Sequence, residues 1–338
     1  MLKFEINSYL ELAALHADSS LVLILAALED YLLGDPWGWL HPVQVMGWVI
    51  NQYTKLALKL GAPGWQRRLL GVGLGLLLII GSGSLSWLVI KIIDQIQPLL
   101  GLILQIILLA SCFAGKSLRV AVEDVLTPIR QGDLATGRSH LSRYVGRDTA
   151  SLSSSEIYRA LLETVAENAV DGVTAPLFWA IAGLWLGIGV VPLAVAYKAA
   201  STLDSMVGYL REPYIDLGWF SAQLEDRLTW LPCRLTVLTL CLSSGRPLEI
   251  WQICRRDGVK DPSPNSGWSE AAYAAILKVQ LGGKNTYQGV VREKPLLGEN
   301  SEPISEAKIL QALALTRSCF LSWLGMAIAI YYFIRYLF

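Results

Sequence analysis

The chain has 338 residues, of which 53% are apolar and 17% are charged, and its mean hydropathy is +0.44. An average soluble domain carries about 25% charged residues, so this composition favours a membrane protein. Equal totals of 28 basic and 28 acidic residues exclude the basic footprint of a nucleic-acid-binding protein. The five cysteines form no CxxC pair, which excludes a disulfide framework, and three widely spaced histidines argue against a His-based zinc site.

Four segments predict membrane spans, because about 20 apolar residues cross the hydrocarbon core of a bilayer. Uncharged runs of 22, 21 and 17 residues occupy 69–90, 95–115 and 318–334. The segment 21–40 begins with an apolar stretch that contains two acids. Because it lacks the basic leader and the cleavage site of a signal peptide, we expect it to remain as an anchor.

Two further apolar segments, 172–197 and 228–245, leave alternatives open. Both contain proline, so they either cross the membrane or form broken, re-entrant helices. Cytoplasmic loops hold the excess of Lys and Arg. The two faces carry 21 against 6 of these residues if all six segments cross, and 25 against 3 if four cross. We prefer four spans, which place residues 198–227 in the cytoplasm with the other long polar loops.

The expected fold is a single membrane-embedded domain over residues 1–338. It is an all-α polytopic integral membrane protein, a helical bundle with broken or re-entrant helices and long cytoplasmic helical loops. Residues 151–168 contain a capping-type Ser-Ser-Ser-Glu start and helical apolar spacing, which predict a helix. Glycines between 281 and 289 predict turns, and little in the chain favours β-strands.

The most distinctive polar pattern is a series of carboxylates at Glu163, Glu167 and Asp171, with Asn168 beside them. A spacing of four places the three on one helix face, where like charges repel. We therefore expect a nearby cation, and a magnesium ion held through substrate phosphates is one candidate. A solvated acidic face partnered by Arg159 is the alternative.

A second polar group follows the first apolar segment. Glu29 and Asp30 are ionisable groups within an apolar run, which makes them functional candidates, and Asp35 and His41 come soon after. The alternative is the interfacial end of a short helix with an aromatic belt of tryptophans.

A third pattern is the run Arg143, Arg147 and Asp148, whose guanidinium groups suit a phosphate. An Arg–Asp pair on the surface is the alternative. Charged residues also recur between 198 and 234, amid Tyr and Trp, which is typical of a site wall or of an interfacial amphipathic region. Glycine-flanked amides and hydroxyls at 265–270 and 284–289 offer donors to phosphate, although each is also ordinary loop material.

The segment 110–117 fits a loose phosphate-loop pattern, but we expect it to be accidental. A true phosphate loop follows a buried strand and has glycines around the phosphates. Here the motif continues a helix-like apolar run and contains bulky Cys112 and Phe113.

A series of short polar and apolar blocks follows in order from about Leu25 to Gly298. The blocks are Asp30–Pro36 with His41–Val43, Arg147–Thr149, Val165–Asn168 with Asp171–Val173 and Ala175–Phe178, Thr202–Met206 with Gly208–Tyr209, Pro232 with Arg234–Leu235, Pro262–Ser266, and Leu281–Gly283 with Asn285 and Tyr287. Any one block alone is weak, but taken together in this order they resemble the adenosylcobinamide-phosphate synthases, the membrane-bound CbiB/CobD family of cobalamin biosynthesis.

The resemblance implies an ATP-dependent amide ligase that joins adenosylcobyric acid to (R)-1-amino-2-propanol phosphate, with ATP and Mg²⁺ required. ATP would convert the unreactive carboxylate to an acyl phosphate, which the amine then attacks. The expected partners are the corrinoid substrate, aminopropanol phosphate and membrane lipid, with no nucleic acid, and an association with other late proteins of cobalamin synthesis. The expected location is the bacterial inner membrane, with the active site toward the cytoplasm.

On this reading each candidate residue has an expected role. Glu163, Glu167, Asp171 and Asp35 would hold metal. Asp148, Asp204 and Asn168 are the catalytic candidates, with Asp148 accepting the amine proton and Asp204 an alternative to Asp35 in a second metal cluster. The candidates for binding substrate and phosphate are Arg143, Arg147, Arg211, Arg234, His41, Asn265, Asn285 and Tyr287. A transporter or a corrinoid-binding scaffold without catalysis is the alternative function, although the sequence shows no inverted repeat.

Overall fold

The structure is a computed structural model that describes residues 19–34 and 41–337. It is mostly helical. Fourteen α-helices and one β-hairpin lie in the described ranges. In chain order they are α1 Ser19–Leu32, α2 Pro42–Lys59, α3 Gly64–Ile96, α4 Pro98–Ala110, α5 Gly115–Arg130, α6 Leu134–Leu141, α7 Ser154–Asn168, α8 Ala175–Trp185, α9 Val190–Val207, α10 Tyr214–Leu217, α11 Trp219–Ser243, α12 Pro247–Asp257, α13 Ser266–Leu277, β1 Gln280–Tyr287, β2 Val290–Gly298 and α14 Glu306–Leu337.

Residue contacts divide the chain into two compact units, whereas the sequence analysis treats it as one domain. The first unit comprises Met1–Ala114, Pro176–Leu228 and Trp323–Phe338, and the second comprises Gly115–Ala175 and Thr229–Ser322.

Close helix packing in the first unit depends on glycines of α3. A Cβ atom at Gly71 would collide with the backbone carbonyl of Leu217, and one at Gly83 would lie 3.1 Å from the carbonyl oxygen of Pro192. Small residues at these positions let α9 and α10 approach the α3 backbone. An ion pair of 2.9 Å between Arg68 Nε and Asp216 Oδ1 also joins α3 to α10.

Two helices, α3 and α14, are long and apolar enough to cross a membrane, and the broken pair α4 and α5 gives a third if it is counted as one span. The predicted spans 69–90 and 318–334 lie within α3 and α14. The runs 69–90 and 95–115 leave residues 91–94 as the link between two predicted spans, but α3 continues to Ile96 and the break falls at Gln97–Pro98. Proline has no backbone N–H to continue a helix, so α4 starts there.

The remaining apolar segments give shorter or interrupted helices. In segment 21–40, α1 ends at Leu32 after 14 residues, short of a spanning length, and residues 35–40 lie outside the described ranges. Segment 172–197 is interrupted between α8 and α9. Segment 228–245 falls largely within α11, which continues through Pro232. The loose phosphate-loop motif at 110–117 joins α4 to α5. It follows a helix and not a strand, which agrees with the expectation that the motif is accidental.

The β-hairpin in the second unit corrects the all-α prediction. Strands β1 and β2 pair antiparallel, with an irregularity between Leu281 and Gly283. The two turn residues Gln288 and Gly289 have positive φ angles of 52° and 76°, as a tight two-residue hairpin turn requires. The sequence indicated turns throughout 281–289 because Gly282 and Gly283 are poor strand formers, but these glycines lie within β1 at its irregularity.

Helix α7 forms as the sequence predicts. Ser153 and Glu156 make the reciprocal hydrogen bonds of a capping box, and one face of the helix is buried in the second unit. A short π-helix, Ala169–Thr174, follows directly. Helix α13 packs beside α7, where the Ser269 hydroxyl donates a hydrogen bond to the Ala166 carbonyl. This contact brings the acidic face of α7 close to residues of α13.

Candidate functional site

Glu163 is the centre of a buried ionic cluster in the second unit. Its side chain is 3% exposed. Arg147 Nη2 donates to Oε2, and Arg159 Nη1 donates to Oε1 at 3.4 Å. The backbone N–H of Gly282 also donates to Oε1, at 2.9 Å. Both carboxylate oxygens are therefore engaged within the protein, and Glu163 ties α7 to the loop before it and to β1.

The two arginines also bind Asn285 on β1. Arg147 Nη1 and Arg159 Nη2 donate to Asn285 Oδ1 at 2.8 and 3.1 Å. Arg159 donates further to the backbone carbonyls of Gly282 and Lys284. The amide nitrogen of Asn285 is buried and has no hydrogen-bond partner within residues 19–34 and 41–337. Asn285 thus keeps its NH₂ group unpaired beside the cluster.

A cavity of about 240 Å³ lies next to this cluster, entirely within the second unit. Its wall is mostly polar and comes from the loop before α7, from α7, from α13 and from the hairpin. The lining residues are Tyr144, Val145, Gly146, Arg147, Glu163, Thr164, Glu167, Asn168, Glu270, Tyr287 and Lys294. The structure thus brings five predicted site residues to one cavity, namely Arg147, Glu163, Glu167, Asn168 and Tyr287.

Glu270 and Lys294 are the two charged lining residues that the sequence analysis did not assign. Glu270 is fully buried, and neither of its carboxylate oxygens has a hydrogen-bond partner in the described part of the chain. Lys294 Nζ lies 3.6 Å from Glu270 Oε1, an ion pair longer than a hydrogen bond. The sequence does contain a signal that could have identified Glu270 as a buried functional carboxylate, since it is the one charged residue of α13 and is followed by small apolar residues. Lys294 carried no comparable signal.

Burial and crowded charges shift the pKa values in the cavity. Burial raises the pKa of Glu270 to about 8, with Glu163, Glu167 and Asp261 adding to the rise and Lys294 opposing it. Glu167 lines the cavity as an exposed residue, and desolvation of its carboxylate, with Asp261 and Glu163 adding to the effect, raises its pKa. Burial lowers the pKa of Lys294, but the surrounding carboxylates outweigh burial and raise it overall. Lys294 therefore stays charged near neutral pH.

Asp148, the predicted proton acceptor, contacts the turn of the β-hairpin. Its carboxylate accepts hydrogen bonds from the backbone N–H groups of Gln288 and Gly289, at 3.1 and 2.8 Å. Its own N–H donates to the Thr286 carbonyl. These bonds hold the hairpin turn against the loop before α7. Asn168, a second catalytic candidate, lines the cavity and donates from Nδ2 to the Thr164 carbonyl.

The predicted metal cluster is not assembled. Glu163 is engaged by arginines, Glu167 lines the cavity, and Asp171 lies in the π-helix and has a partner of its own. No three Asp, Glu, His or Cys side chains come close enough to hold a metal ion anywhere in residues 19–34 and 41–337. Asp35 lies outside the described residues. The physical reason is that Arg147 and Arg159 neutralise Glu163, which removes the charge that would have required a metal there.

Other predicted binding residues of the second unit have different surroundings. Arg234 donates to Asn265 Oδ1 and to the Pro264 carbonyl, and its guanidinium lies 4.4 Å from the ring centre of Trp268. Arg143 is exposed and forms an ion pair of 3.3 Å with Asp124. Neither Arg234 nor Arg143 is among the residues that line the cavity described above.

Three predicted site residues within residues 19–34 and 41–337 belong to the first unit. His41 Nδ1 accepts a hydrogen bond from the Val43 N–H and so caps α2. Asp204 lies on α9, packed against Gly208. The Arg211 guanidinium lies 5.0 Å from the ring centre of Tyr209. Their predicted roles in binding and catalysis stay predictions.

These features define a mostly helical protein with two candidate membrane spans and a charged cavity in its second unit. The profile of the family described as CobD/Cbib protein matches residues 23–316. The chain belongs to this CobD/CbiB family.

Named relatives cover most of the chain. A protein of Synechocystis sp. named Cobalamin biosynthesis protein CobD is 58% identical over 303 residues, 89% of each chain. A CobD protein of Halalkalibacterium halodurans is 41% identical, covering 90% of this chain and 94% of that one. Cobalamin biosynthesis protein CbiB of Salmonella typhimurium is 38% identical, covering 90% and 93%. No solved structure gives a significant match. The chain is thus a member of a cobalamin biosynthesis family.

Proposed function

We propose that the protein is an ATP-dependent amide ligase that joins adenosylcobyric acid to (R)-1-amino-2-propanol phosphate and yields adenosylcobinamide phosphate. Membership of the CobD/CbiB family and the ordered sequence blocks support this reaction. The structural observation that carries it is the cavity of the second unit, where Glu270, Glu167 and Lys294 stand together. Amide formation brings a positively charged amine to a negatively charged acyl phosphate. A carboxylate can bind the amine, and a lysine ammonium can bind the phosphate.

The reaction makes separate demands on the protein. A carboxylate becomes reactive toward an amine only when one of its oxygens becomes a leaving group, which ATP supplies as phosphate. The amine must be uncharged when it attacks. In the cavity, the Lys294 ammonium suits phosphoryl oxygens. Arg147 holds Glu163 and Asn285, so its contribution is to keep this wall rigid.

Magnesium fits the described residues poorly as an ion held by the protein itself. The cavity offers Glu167 and Glu270 beside the positive charge of Lys294, and no group of three metal-binding side chains is found in the described ranges. Magnesium commonly binds through substrate phosphates with few protein ligands. The requirement for Mg²⁺ is therefore an expectation that the family resemblance implies.

The test is a coupling assay on the full-length protein in detergent. The protein is incubated with adenosylcobyric acid, aminopropanol phosphate, ATP and Mg²⁺, and the corrinoids are analysed by mass spectrometry. We expect the mass of the condensed amide, and we expect it to disappear when ATP is omitted. If the corrinoid is bound but never condensed under any of these conditions, the protein is a scaffold or transporter and the proposed reaction is wrong.

We further propose that the protein lies in the bacterial inner membrane with the second unit toward the cytoplasm, where ATP is available. The two long apolar helices and the excess of Lys and Arg in the polar loops support this orientation. All five native cysteines are buried, so background labelling is low. A Ser301→Cys variant, at an exposed position, should react with an impermeant maleimide in inverted vesicles and stay unlabelled in right-side-out vesicles. The reverse pattern would contradict the orientation.

A further inference from the structure

Glu270 is a buried carboxylate that the protein leaves unsatisfied. Glu270 is 0% exposed, and both of its side-chain oxygens lack a hydrogen-bond partner among the described residues. Buried carboxylates are normally paired or fully hydrogen-bonded, because taking the charge out of water is costly. The neighbouring Glu163 shows the normal arrangement, with two arginines and a backbone N–H. Glu270 lines the same cavity, so the missing partner has room to be a ligand.

The charges that face Glu270 favour a cationic ligand. Lys294 approaches from β2, Glu163 and Glu167 act from α7, and Asp261 acts from the loop before α13. Arg147, Arg159 and Lys294 carry three positive charges against the four carboxylates of Glu163, Glu167, Glu270 and Asp261, so the fully ionised group has one net negative charge. A single added positive charge with several N–H donors would offset this excess. A primary ammonium group has this chemistry.

We propose that Glu270 is a catalytic residue that receives the primary ammonium group of the amino alcohol substrate and accepts its proton. This inference rests on the proposed ligase function and names the residue that makes the amine nucleophilic. The cavity of about 240 Å³ admits a small alkylammonium group, since one water molecule in the liquid takes about 30 Å³. Lys294, which lines the same cavity 3.6 Å from Glu270 Oε1, supplies positive charge for a phosphate group of aminopropanol phosphate or of ATP.

The proton and electron balance of the step is simple. The ammonium R–NH₃⁺ gives one proton to the Glu270 carboxylate, leaving R–NH₂ and a neutral carboxylic acid. The nitrogen lone pair then forms the C–N bond at the carbonyl carbon of the acyl phosphate. The C–O bond to phosphate breaks, and the second nitrogen proton leaves with the phosphate as hydrogen phosphate. Glu270 returns its proton to water before the next turnover.

The environment of Glu270 suits this role. Burial and the surrounding carboxylates raise its pKa to about 8, which is closer to that of an alkylammonium group than the pKa of an exposed carboxyl. A base works best when its pKa lies near the operating pH. Lys294 opposes the rise and keeps part of the Glu270 population ionised.

The test compares a charged and an uncharged nucleophile. Aminopropanol phosphate is an ammonium ion at neutral pH, whereas hydroxylamine is already uncharged and traps an acyl phosphate as a hydroxamate. We expect Glu270→Gln to lose about 10²- to 10⁴-fold in turnover with aminopropanol phosphate, the usual worth of a general base, and to keep hydroxamate formation within a fewfold of wild type. Glu249→Gln, at an exposed carboxylate paired with Arg246, is the matched control and should behave as wild type.

Two results would overturn the inference. One is full amine turnover in Glu270→Gln, and the other is an equal loss with both nucleophiles in a variant that remains folded. Glu270→Asp covers the case of misfolding, since it keeps a carboxylate in the cavity and should retain more amine turnover than Glu270→Gln. Equal turnover of these two variants would also contradict the role. If wild-type protein forms neither amide nor hydroxamate, the proposed ligase function itself fails.

Discussion

Lys294 Nζ lies 3.6 Å from Glu270 Oε1, and both groups line the cavity of the second unit. The two residues differ in solvent exposure, because Glu270 is fully buried and Lys294 keeps part of its side chain accessible. The pKa of each is raised, so the lysine remains charged while the glutamic acid titrates near pH 8. A carboxyl that changes charge beside a fixed cation is well suited to proton transfer.

Glu270 should make the stability of the protein depend on pH. Its pKa rises from about 4 in the unfolded chain to about 8 in the folded protein, so the unfolded state releases the proton first. The stabilisation is complete below pH 4 and is lost progressively as the pH rises toward 8. Glu270→Gln cannot ionise and should unfold at a higher temperature than wild type at pH 8, with a smaller difference near pH 5. Thermal unfolding of both proteins in detergent checks this. An unchanged difference between the two pH values would contradict the shifted pKa.

Glu163 should act as a structural anchor. Glu163→Gln removes the charge that balances Arg147 and Arg159 in a buried site, and breaking a buried ion pair costs about 3 kcal/mol or more. We expect a strongly lowered unfolding free energy in denaturant. The exposed pair of Arg246 and Glu249 gives the control, where Glu249→Gln should cost under about 1 kcal/mol. A Glu163→Gln protein of wild-type stability that had lost magnesium affinity would instead support the original metal assignment.

Asp148 should hold the hairpin turn. An asparagine offers one acceptor oxygen where Asp148 offers two, so Asp148→Asn leaves the N–H of Gln288 or Gly289 without its partner. We expect a loss of about 1–3 kcal/mol of local stability. Hydrogen exchange at Gln288 and Gly289 should accelerate, while the pH dependence of turnover keeps its shape. A change in that pH dependence with unaltered exchange would point back to a proton-transfer role for Asp148.

Asp257 should contribute to stability at neutral pH. It is 3% exposed and accepts hydrogen bonds from Arg256, Lys260 and the Gly298 N–H, which outweigh the effect of burial and lower its pKa to about 2. The contribution is present above the unfolded pKa of about 4 and is lost as the pH falls through 2. Asp257→Asn should therefore lose about 2 kcal/mol at pH 7, and this deficit should shrink near pH 2. A deficit of the same size at both pH values would contradict it.

Local patterns predicted the parts of the structure that depend on neighbours in sequence. The capping box at Ser153 and Glu156 marks the start of α7 correctly, and the spacing of Glu163 and Glu167 does place both at one cavity. The long apolar runs at 69–90 and 318–334 lie in the two spanning-length helices. In each case the physical signal, a cap or a periodicity, lies within the element itself.

Partners distant in sequence were not predictable in this way. Arg147 and Asn285 lie 138 positions apart and hydrogen-bond to each other, whereas the family resemblance implies a separate substrate-binding role for each. Glu270 is buried because α13 packs beside α7, a contact that no local pattern specifies. The hairpin was missed because two glycines within β1 suggest turns, whereas pairing with β2 decides its conformation.

The most direct test of the proposed reaction traces a carboxylate oxygen of adenosylcobyric acid into the released phosphate. Adenosylcobyric acid labelled with oxygen-18 in its free carboxylate is coupled to aminopropanol phosphate by the full-length protein with ATP and Mg²⁺. If ATP activates the acid as an acyl phosphate, one labelled oxygen appears in the released inorganic phosphate for each amide formed. Amide formation with unlabelled phosphate, or label found in AMP, would contradict this account.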